Sequence, residues 1–318
     1  MNRLHEKEYR EAGISDPDLI ASYEVCRELN AKHGKTYYLA TLLLPPGKRP
    51  YVHALYGFAR YADEIVDDLD STLSDQEKAD WLKTWGEAFM ADVHSGESTD
   101  SVCRAVVHTV RRWDIPLDLF DAFLHSMTMD LTVTEYQTFD DLYEYVYGSA
   151  AVIGLQMLPI LEPTDPKAYE YAKDLGVAFQ LANFIRDVNE DLDRGRVYLP
   201  LDELARFGVT RADLEERELT ENIKAALRHQ IDRVRRLEGQ SRAGIEMLHP
   251  SSRDCIDAAR ILYCGIANKV EEIDFQVFTK RARVSPRTKF WVAFPAWRHA
   301  RTARRKFGPG KVQGINPT

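Results

Sequence analysis

The segment from Phe179 to Leu192 constrains this chain more than any other. Gln180, Asn183, Asp187 and Asp191 follow one another at steps of three and four, the spacing of one helical face. Phe179, Leu181, Ala182, Phe184, Ile185, Val188 and Leu192 fill most of the remaining circumference. At ~100° per residue, the apolar groups cover roughly 220° of such a helix. A surface helix needs a much narrower apolar stripe. The polar stripe is therefore expected to face a lined cavity inside a helical bundle. Carboxylates placed there must be paired or must bind metal, because burying bare charge is prohibitive.

A second acidic pair lies upstream. Asp63 and Asp67 are four apart, which puts them ~6 Å apart on one helix face. Tyr56 and Arg60 continue the same stripe towards the N-terminus. By itself an acidic face of this kind is usually a solvated surface. Two facing helices that each carry such a pair would instead supply hard oxygen ligands for Mg²⁺, an ion that takes few carboxylates alongside waters and phosphate oxygens. The expectation is a carboxylate–Mg²⁺–diphosphate arrangement with two or three ions. Gln180 and Asn183 are placed to orient water or diphosphate. Arg186, Arg194 and Arg196 are within reach as phosphate donors, although any one of them could be an ordinary surface arginine. A di-iron carboxylate bundle would need Glu-x-x-His pairs on facing helices. His33, His53, His94, His108 and His125 provide none.

The rest of the chain reads as all-α, with helical periodicity throughout and no sustained strand alternation. Asp16 and Pro17 suit the cap and first turn of a helix that Gly34 would end. A further helix carries Leu55 to Leu69. Others are expected near 75–94, 99–112, 117–131, 140–161, 166–192, 221–247, 253–279 and 286–306. Loops fall at Gly96–Ser98, Pro163–Pro166 and Gly195–Pro200. No repeat or flexible linker divides the 318 residues, so one helical domain is expected, with a tail over 307–318.

Charge and composition exclude several roles. A net charge of −8 makes a nucleic-acid partner unexpected. Cys26, Cys103, Cys255 and Cys264 show no C-x-x-C or zinc-like spacing and read as free thiols of a reducing cytosol. Met1–Arg10 has no apolar signal core. The longest apolar run, Ala150–Leu161, is too short to span a bilayer and contains Gln156 and Pro159. A cytoplasmic protein is expected, at most peripheral to a membrane. Within 286–306, Phe290, Trp291, Phe294 and Trp297 precede Arg298, Arg301, Arg304, Arg305 and Lys306, a pattern that suits an anionic membrane surface. The plainer alternative packs those aromatics on the bundle and leaves the basic residues solvated.

The motifs, taken in order, resemble a known family. Residues 33–68 read HGKTYYLATLLLPPGKRPYVHALYGFARYADEIVDD, and residues 180–200 read QLANFIRDVNEDLDRGRVYLP. SMTMDL at Ser126–Leu131, YVYGSAAVIG at Tyr145–Gly154, AARILY at Ala258–Tyr263 and VFTKRARVS at Val277–Ser285 support them. Together they resemble the squalene and phytoene synthase family of head-to-head prenyltransferases over about residues 20–290, and look most like its bacterial phytoene synthases.

That resemblance implies an all-α isoprenoid synthase fold with two aspartate motifs at the mouth of a central cavity. It assigns Asp63 and Asp67 to the first metal motif, and Asp187 and Asp191 to the second. Gln180, Asn183 and Arg186 fall at family positions around the second metal site, Asn183 among the ligands. Tyr56, Arg60, Tyr145 and Tyr263 match cavity-lining positions with catalytic roles, the last two as candidates for proton relay or cation stabilisation. His33 and Tyr37 match a segment that folds over the first diphosphate. Gly34 departs from the serine of many relatives, and Thr36 would partly substitute.

The implied reaction ionises one allylic diphosphate, alkylates a second to a cyclopropylcarbinyl diphosphate, and rearranges it to a linear dimer. Phytoene from geranylgeranyl diphosphate is the favoured product, and no NADPH is expected. Squalene, dehydrosqualene or presqualene diphosphate from farnesyl diphosphate are the alternatives. Thr41, small and one turn after Tyr37, would leave room for a longer tail if it lines the cavity. A non-catalytic relative would be expected to lack the four aspartates.

Overall fold

The computed structural model describes residues 3–67 and 72–311, the side chains of Arg3 and Asp67 excepted. Asp68, at the end of the first acidic segment, and residues 312–318 of the expected tail lie outside the described residues. The N-terminal half comprises α1 (Arg3–Ala12), α2 (Pro17–His33), α3 (Lys35–Thr41), α4 (Arg49–Asp67), α5 (Asp75–Ser95), α6 (Cys103–Trp113) and α7 (Asp118–Met129). It continues through α8 (Phe139–Val146) and α9 (Val152–Leu161) to the long α10 (Ala168–Asp193). Short α11 (Leu201–Ala205) and α12 (Arg211–Glu215) precede α13 (Glu221–Glu246), α14 (Pro250–Glu272) and α15 (Pro286–Phe307). Among the described residues there is no strand, only two isolated bridges, Glu135 to Val197 and Pro163 to Leu248.

Local chemistry explains most boundaries. The Asp16 side chain accepts the Leu19 N–H at 2.7 Å, and Pro17 fills the first turn of α2, where a missing N–H costs nothing. Ser74 with Glu77 and Thr138 with Asp141 form reciprocal capping boxes on α5 and α8. The helices α1, α3, α11 and α12 were not foreseen. Each is short, and α1 is held by tertiary contacts, with Tyr9 buried and Glu8 paired to Arg49 at 2.7 Å.

Two expectations are corrected. The helix expected over 140–161 is widened by a π-helical turn at Tyr147–Ala151, between α8 and α9. The helix expected over 253–279 ends at Glu272. Asp274 and Phe275 adopt φ of 52° and 58°, which breaks the ladder, and Phe275 turns inward to 4% exposure. The chain then doubles back towards the cavity instead of continuing outward.

Around α10 the apolar stripe behaves as expected. Phe179, Leu181, Ala182, Phe184, Ile185 and Val188 are all buried. The packing of α10 against α9, α13, α14 and the π turn leaves the polar stripe facing inward. All four cysteines are buried free thiols, and no described helix is long and apolar enough to cross a membrane. On α15 the aromatic residues do not pack on the bundle. Phe290, Trp291, Phe294 and Trp297 are 59%, 70%, 45% and 43% exposed, while Ala300 is buried.

The π turn packs on α7 by direct backbone approach. A Cβ at Gly148 would lie 2.1 Å from the Ala122 carbonyl oxygen and 2.2 Å from Ser126 Oγ, and the Ser126 hydroxyl donates to the Tyr145 carbonyl at 2.9 Å. Gly148→Ala is expected to cost on the order of 3 kcal/mol. Gly239→Ala on α13, with open space around it, is expected to be neutral or slightly stabilising. Thermal melts of the two variants check this, and equal Tm values would contradict it.

Candidate active site

A cavity of about 960 Å³ runs alongside α10. One end is lined by Ala168, Tyr171, Ala172, Leu175 and Phe179, the other by Gln180, Asn183, Asp187 and Asp191. A single helix thus supplies both a greasy barrel and a charged mouth. Opposite it, α4 contributes Leu55, Tyr56, Ala59, Arg60 and Asp63 in helical register. His33, Tyr37, Tyr145, Arg186, Arg196 and Tyr263 complete the set of expected residues, and all of them line this cavity. Asp67 is the exception, since its side chain lies outside the described part. Thr41 is buried and lines the cavity as well.

The mouth is balanced by close ion pairs. Asp63 pairs with Arg60, which also reaches Glu64 at 3.2 Å. Asp187 is held by Arg186, whose Nε donates at 2.7 Å, and by Arg281 at 3.0 Å. Arg281 also pairs with Glu190 at 2.7 Å. Among the described lining residues, eight Lys or Arg stand against five Asp or Glu. A chain of net charge −8 therefore concentrates positive charge at this opening, as an anionic substrate requires.

Asp191 is under different stress. Burial and the neighbouring Asp187 push its carboxyl up to about 8, against the opposing pull of Arg194 and Arg196. Asn183 Oδ1 is buried without a hydrogen-bond partner. An orphaned amide oxygen and a carboxylate that ionises reluctantly are hard oxygen donors suited to a divalent cation. No cluster of three or more His, Cys, Asp or Glu side chains is preassembled among the described residues. The donor set therefore fits an ion that fills its shell with water and phosphate oxygens, as Mg²⁺ does.

The remaining wall is aromatic. Tyr37 and Tyr263 have ring centroids 4.7 Å apart, Phe179 stacks on Tyr263 at 4.9 Å, and Tyr56 lies 5.9 Å from Tyr37. Burial raises the hydroxyls of Tyr37 and Tyr263, and brings Tyr56 up to about 12. Burial, reinforced by Arg60, lowers His33. Gly34 has a steric explanation: a Cβ there would lie 2.6 Å from the Tyr56 ring. The Thr36 hydroxyl accepts from Lys289 at 2.9 Å, at the rim of the cavity.

Among the lining residues not singled out from the sequence are Asp130, Tyr198 and Arg281. Tyr145 and Tyr198 both donate to the Asp130 carboxylate, at 2.6 and 2.7 Å. Each lies inside a quoted motif, SMTMDL, RVYLP and TKRARVS, which was the available signal.

The family model described as squalene/phytoene synthase matches residues 30–288. The chain belongs to the squalene/phytoene synthase family. It is 35% identical over 292 residues to a 15-cis-phytoene synthase of Synechococcus elongatus, covering 88% of this chain and 90% of that one. It is 34% identical to phytoene synthase 2, chloroplastic, of Solanum lycopersicum, covering 85% and 91%. A solved dehydrosqualene synthase superposes with a TM-score of 0.81 at 25% identity, covering 93% of this chain and 99% of that one. The fold is that of the isoprenoid synthases, and the protein is a prenyltransferase.

The Asp191 shift has a sign that can be measured. Its folded value exceeds the ordinary carboxylate value, so between roughly pH 4 and pH 8 the folded protein holds a proton that the unfolded chain releases. Stability conferred by that proton is lost as pH rises through this window. Without divalent cations, Asp191→Asn is expected to raise Tm by several degrees at pH 8 and to leave it unchanged at pH 4. Melting curves at the two pH values test this.

Proposed function

We propose that this protein is a phytoene synthase, joining two geranylgeranyl diphosphates head to head through a cyclopropylcarbinyl diphosphate intermediate and releasing diphosphate. The supporting observation is the length of the cavity, charged mouth included. From Asp187 at the mouth to Ala168 at the far end, the cavity follows α10 for roughly 28 Å at 1.5 Å per residue. An extended C20 prenyl chain needs about 19 Å at ~1.3 Å per backbone bond and is accommodated in this length, as a C15 chain of about 14 Å also is. The names of the relatives, plant and cyanobacterial phytoene synthases, favour the same product. The farnesyl alternative rests on the dehydrosqualene synthase that shares the fold.

In this reading Arg60, Arg186 and Arg281 exchange their carboxylate partners for the diphosphate of the substrate, and Arg196 adds a further cation at the mouth. Asp63, Asp187, Asp191 and Asn183 would hold Mg²⁺, with Asp67 kept in the set on its spacing alone. When bound, the metal supplies positive charge for the leaving diphosphate. His33 and Tyr37 cover the first diphosphate, and Gln180 orients it or its waters. The ring faces of Tyr37, Phe179 and Tyr263 meet the allylic cation and keep water from it. No reductant enters the reaction, so NADPH is not required.

Purified protein with Mg²⁺ and no NADPH, given geranylgeranyl or farnesyl diphosphate side by side, decides the substrate by product mass. A C40 hydrocarbon from the first supports the proposal, a C30 product from the second alone favours dehydrosqualene or presqualene chemistry, and no product from either sinks both. Asp63→Asn and Asp187→Asn are each expected to lower kcat/KM by about 100-fold or more.

We also propose that α15 rests on an anionic membrane surface. Its exposed aromatics start beside Lys289, a cavity-lining residue, and are followed by the exposed Arg298, Arg301, Arg305 and Lys306. A water-insoluble product would then leave into lipid. Replacing Phe290, Trp291 and Trp297 by Ser is expected to lower co-sedimentation with anionic vesicles by about tenfold or more. Unchanged binding would sink the membrane reading.

A further inference from the structure

Asp130 is a carboxylate that the reaction described above leaves unemployed. It caps the C-terminal end of α7, is 8% exposed, and lines the cavity. Its Oδ2 accepts the Tyr145 hydroxyl at 2.6 Å, and its Oδ1 accepts the Tyr198 hydroxyl at 2.7 Å. Arg196 donates to the Asp130 carbonyl at 2.9 Å and tethers α7 to the segment that carries Tyr198. Phe184 stacks on Tyr198 with centroids 4.2 Å apart, and Tyr198 stacks on Tyr145 at 5.4 Å. The carboxylate is therefore clamped on both oxygens in a rigid aromatic setting.

A phenolic hydroxyl has one proton and two lone pairs. In Tyr145 the proton is committed to Asp130, while the side chain itself lines the cavity. The oxygen can then accept a proton from the cavity side while passing its own to the carboxylate behind it. This is the arrangement of a general base acting through an intervening hydroxyl.

We propose that Asp130 is the positioning and proton-accepting partner of Tyr145 in the step that ends the first half-reaction. A C–H bond of the cationic adduct breaks, and its electron pair closes the cyclopropane ring. The released proton goes to the Tyr145 oxygen as the Tyr145 proton moves to Asp130 Oδ2. The carbocation centre is neutralised, the adduct keeps its diphosphate, and the carboxylate becomes a carboxylic acid, so no oxidant or reductant is involved. This inference rests on the prenyltransferase reading given above.

The test compares Asp130→Asn, Tyr145→Phe and the double variant in the full chain, with Mg²⁺ and geranylgeranyl diphosphate. The readouts are kcat, KM and the ratio of diphosphate released to C40 product. Each single variant is expected to lose about 10²–10⁴ in kcat with KM nearly unchanged. The double variant is expected to be no worse than the poorer single one, because Asp130 acts through Tyr145. Diphosphate release should exceed the two per C40 product of the complete reaction, as trapped cations are captured by water to give the prenyl alcohol. Additive losses, a change confined to KM, or an Asp130→Asn enzyme with wild-type kcat would overturn the proposal.

Tyr198→Phe keeps the test decisive even if Asp130→Asn does not fold. It removes the second donor and leaves the Tyr145–Asp130 bond in place. A kcat loss below about tenfold supports the relay, whereas a loss equal to that of Tyr145→Phe marks the cluster as scaffold and overturns it. A wild-type enzyme making neither C40 nor C30 product would instead sink the functional reading itself.

Discussion

The competition between arginine and an incoming cation for the carboxylates of α10 governs the mouth of this molecule. Asp187 lies between Arg186 and Arg281, while Asp191, one helical turn along, ionises reluctantly beside it. Neither carboxylate can be packed over by hydrocarbon, because the desolvation cost would exceed anything the local pairs return. The bundle must therefore stay hollow along that stripe. The long helix carries the hollow inward past Gln180 to purely apolar residues, so the charged mouth and the greasy barrel share one axis.

Keeping a bundle hollow sacrifices core contacts, and the structure recovers stability around the rim of the void. Where the π turn meets α7, backbone touches backbone across Gly148, and Ser126 satisfies the Tyr145 carbonyl. The aromatic cluster of Phe58, Phe89 and Phe120 fills the space behind α4, with centroids 4.7–5.2 Å apart. Tight packing outside the cavity lets the walls hold their shape without a filled centre.

The part of the site that was legible from sequence is the part carried by single helices. Asp63 with Arg60 and Tyr56, and Asp187 with Asn183 and Gln180, share faces fixed by helical period alone. Asp130, Tyr198 and Arg281 were not legible in that way, because each reaches the cavity only through tertiary structure. Arg281 is the sharpest case. A helix running to residue 279 would have carried it away from Asp187, and only the positive φ of Asp274 and Phe275 turns the chain back. No propensity argument predicts two consecutive non-glycine residues in that region. Likewise the aromatic stripe on α15 was visible in sequence, but its exposure was a matter of packing.

The basic character of α15 has a consequence for how the whole molecule is oriented. Its 22 residues carry seven Lys or Arg and no Asp or Glu. With a chain total of −8, the rest of the protein holds a formal charge of −15. Such a body behaves as a large electric dipole. Near an anionic surface it would experience a torque that turns α15 inward and the acidic bulk outward, over distances of about a Debye length, ~8 Å at physiological salt. Alignment would then precede insertion of any ring, and the rim at Lys289 would arrive already facing the lipid.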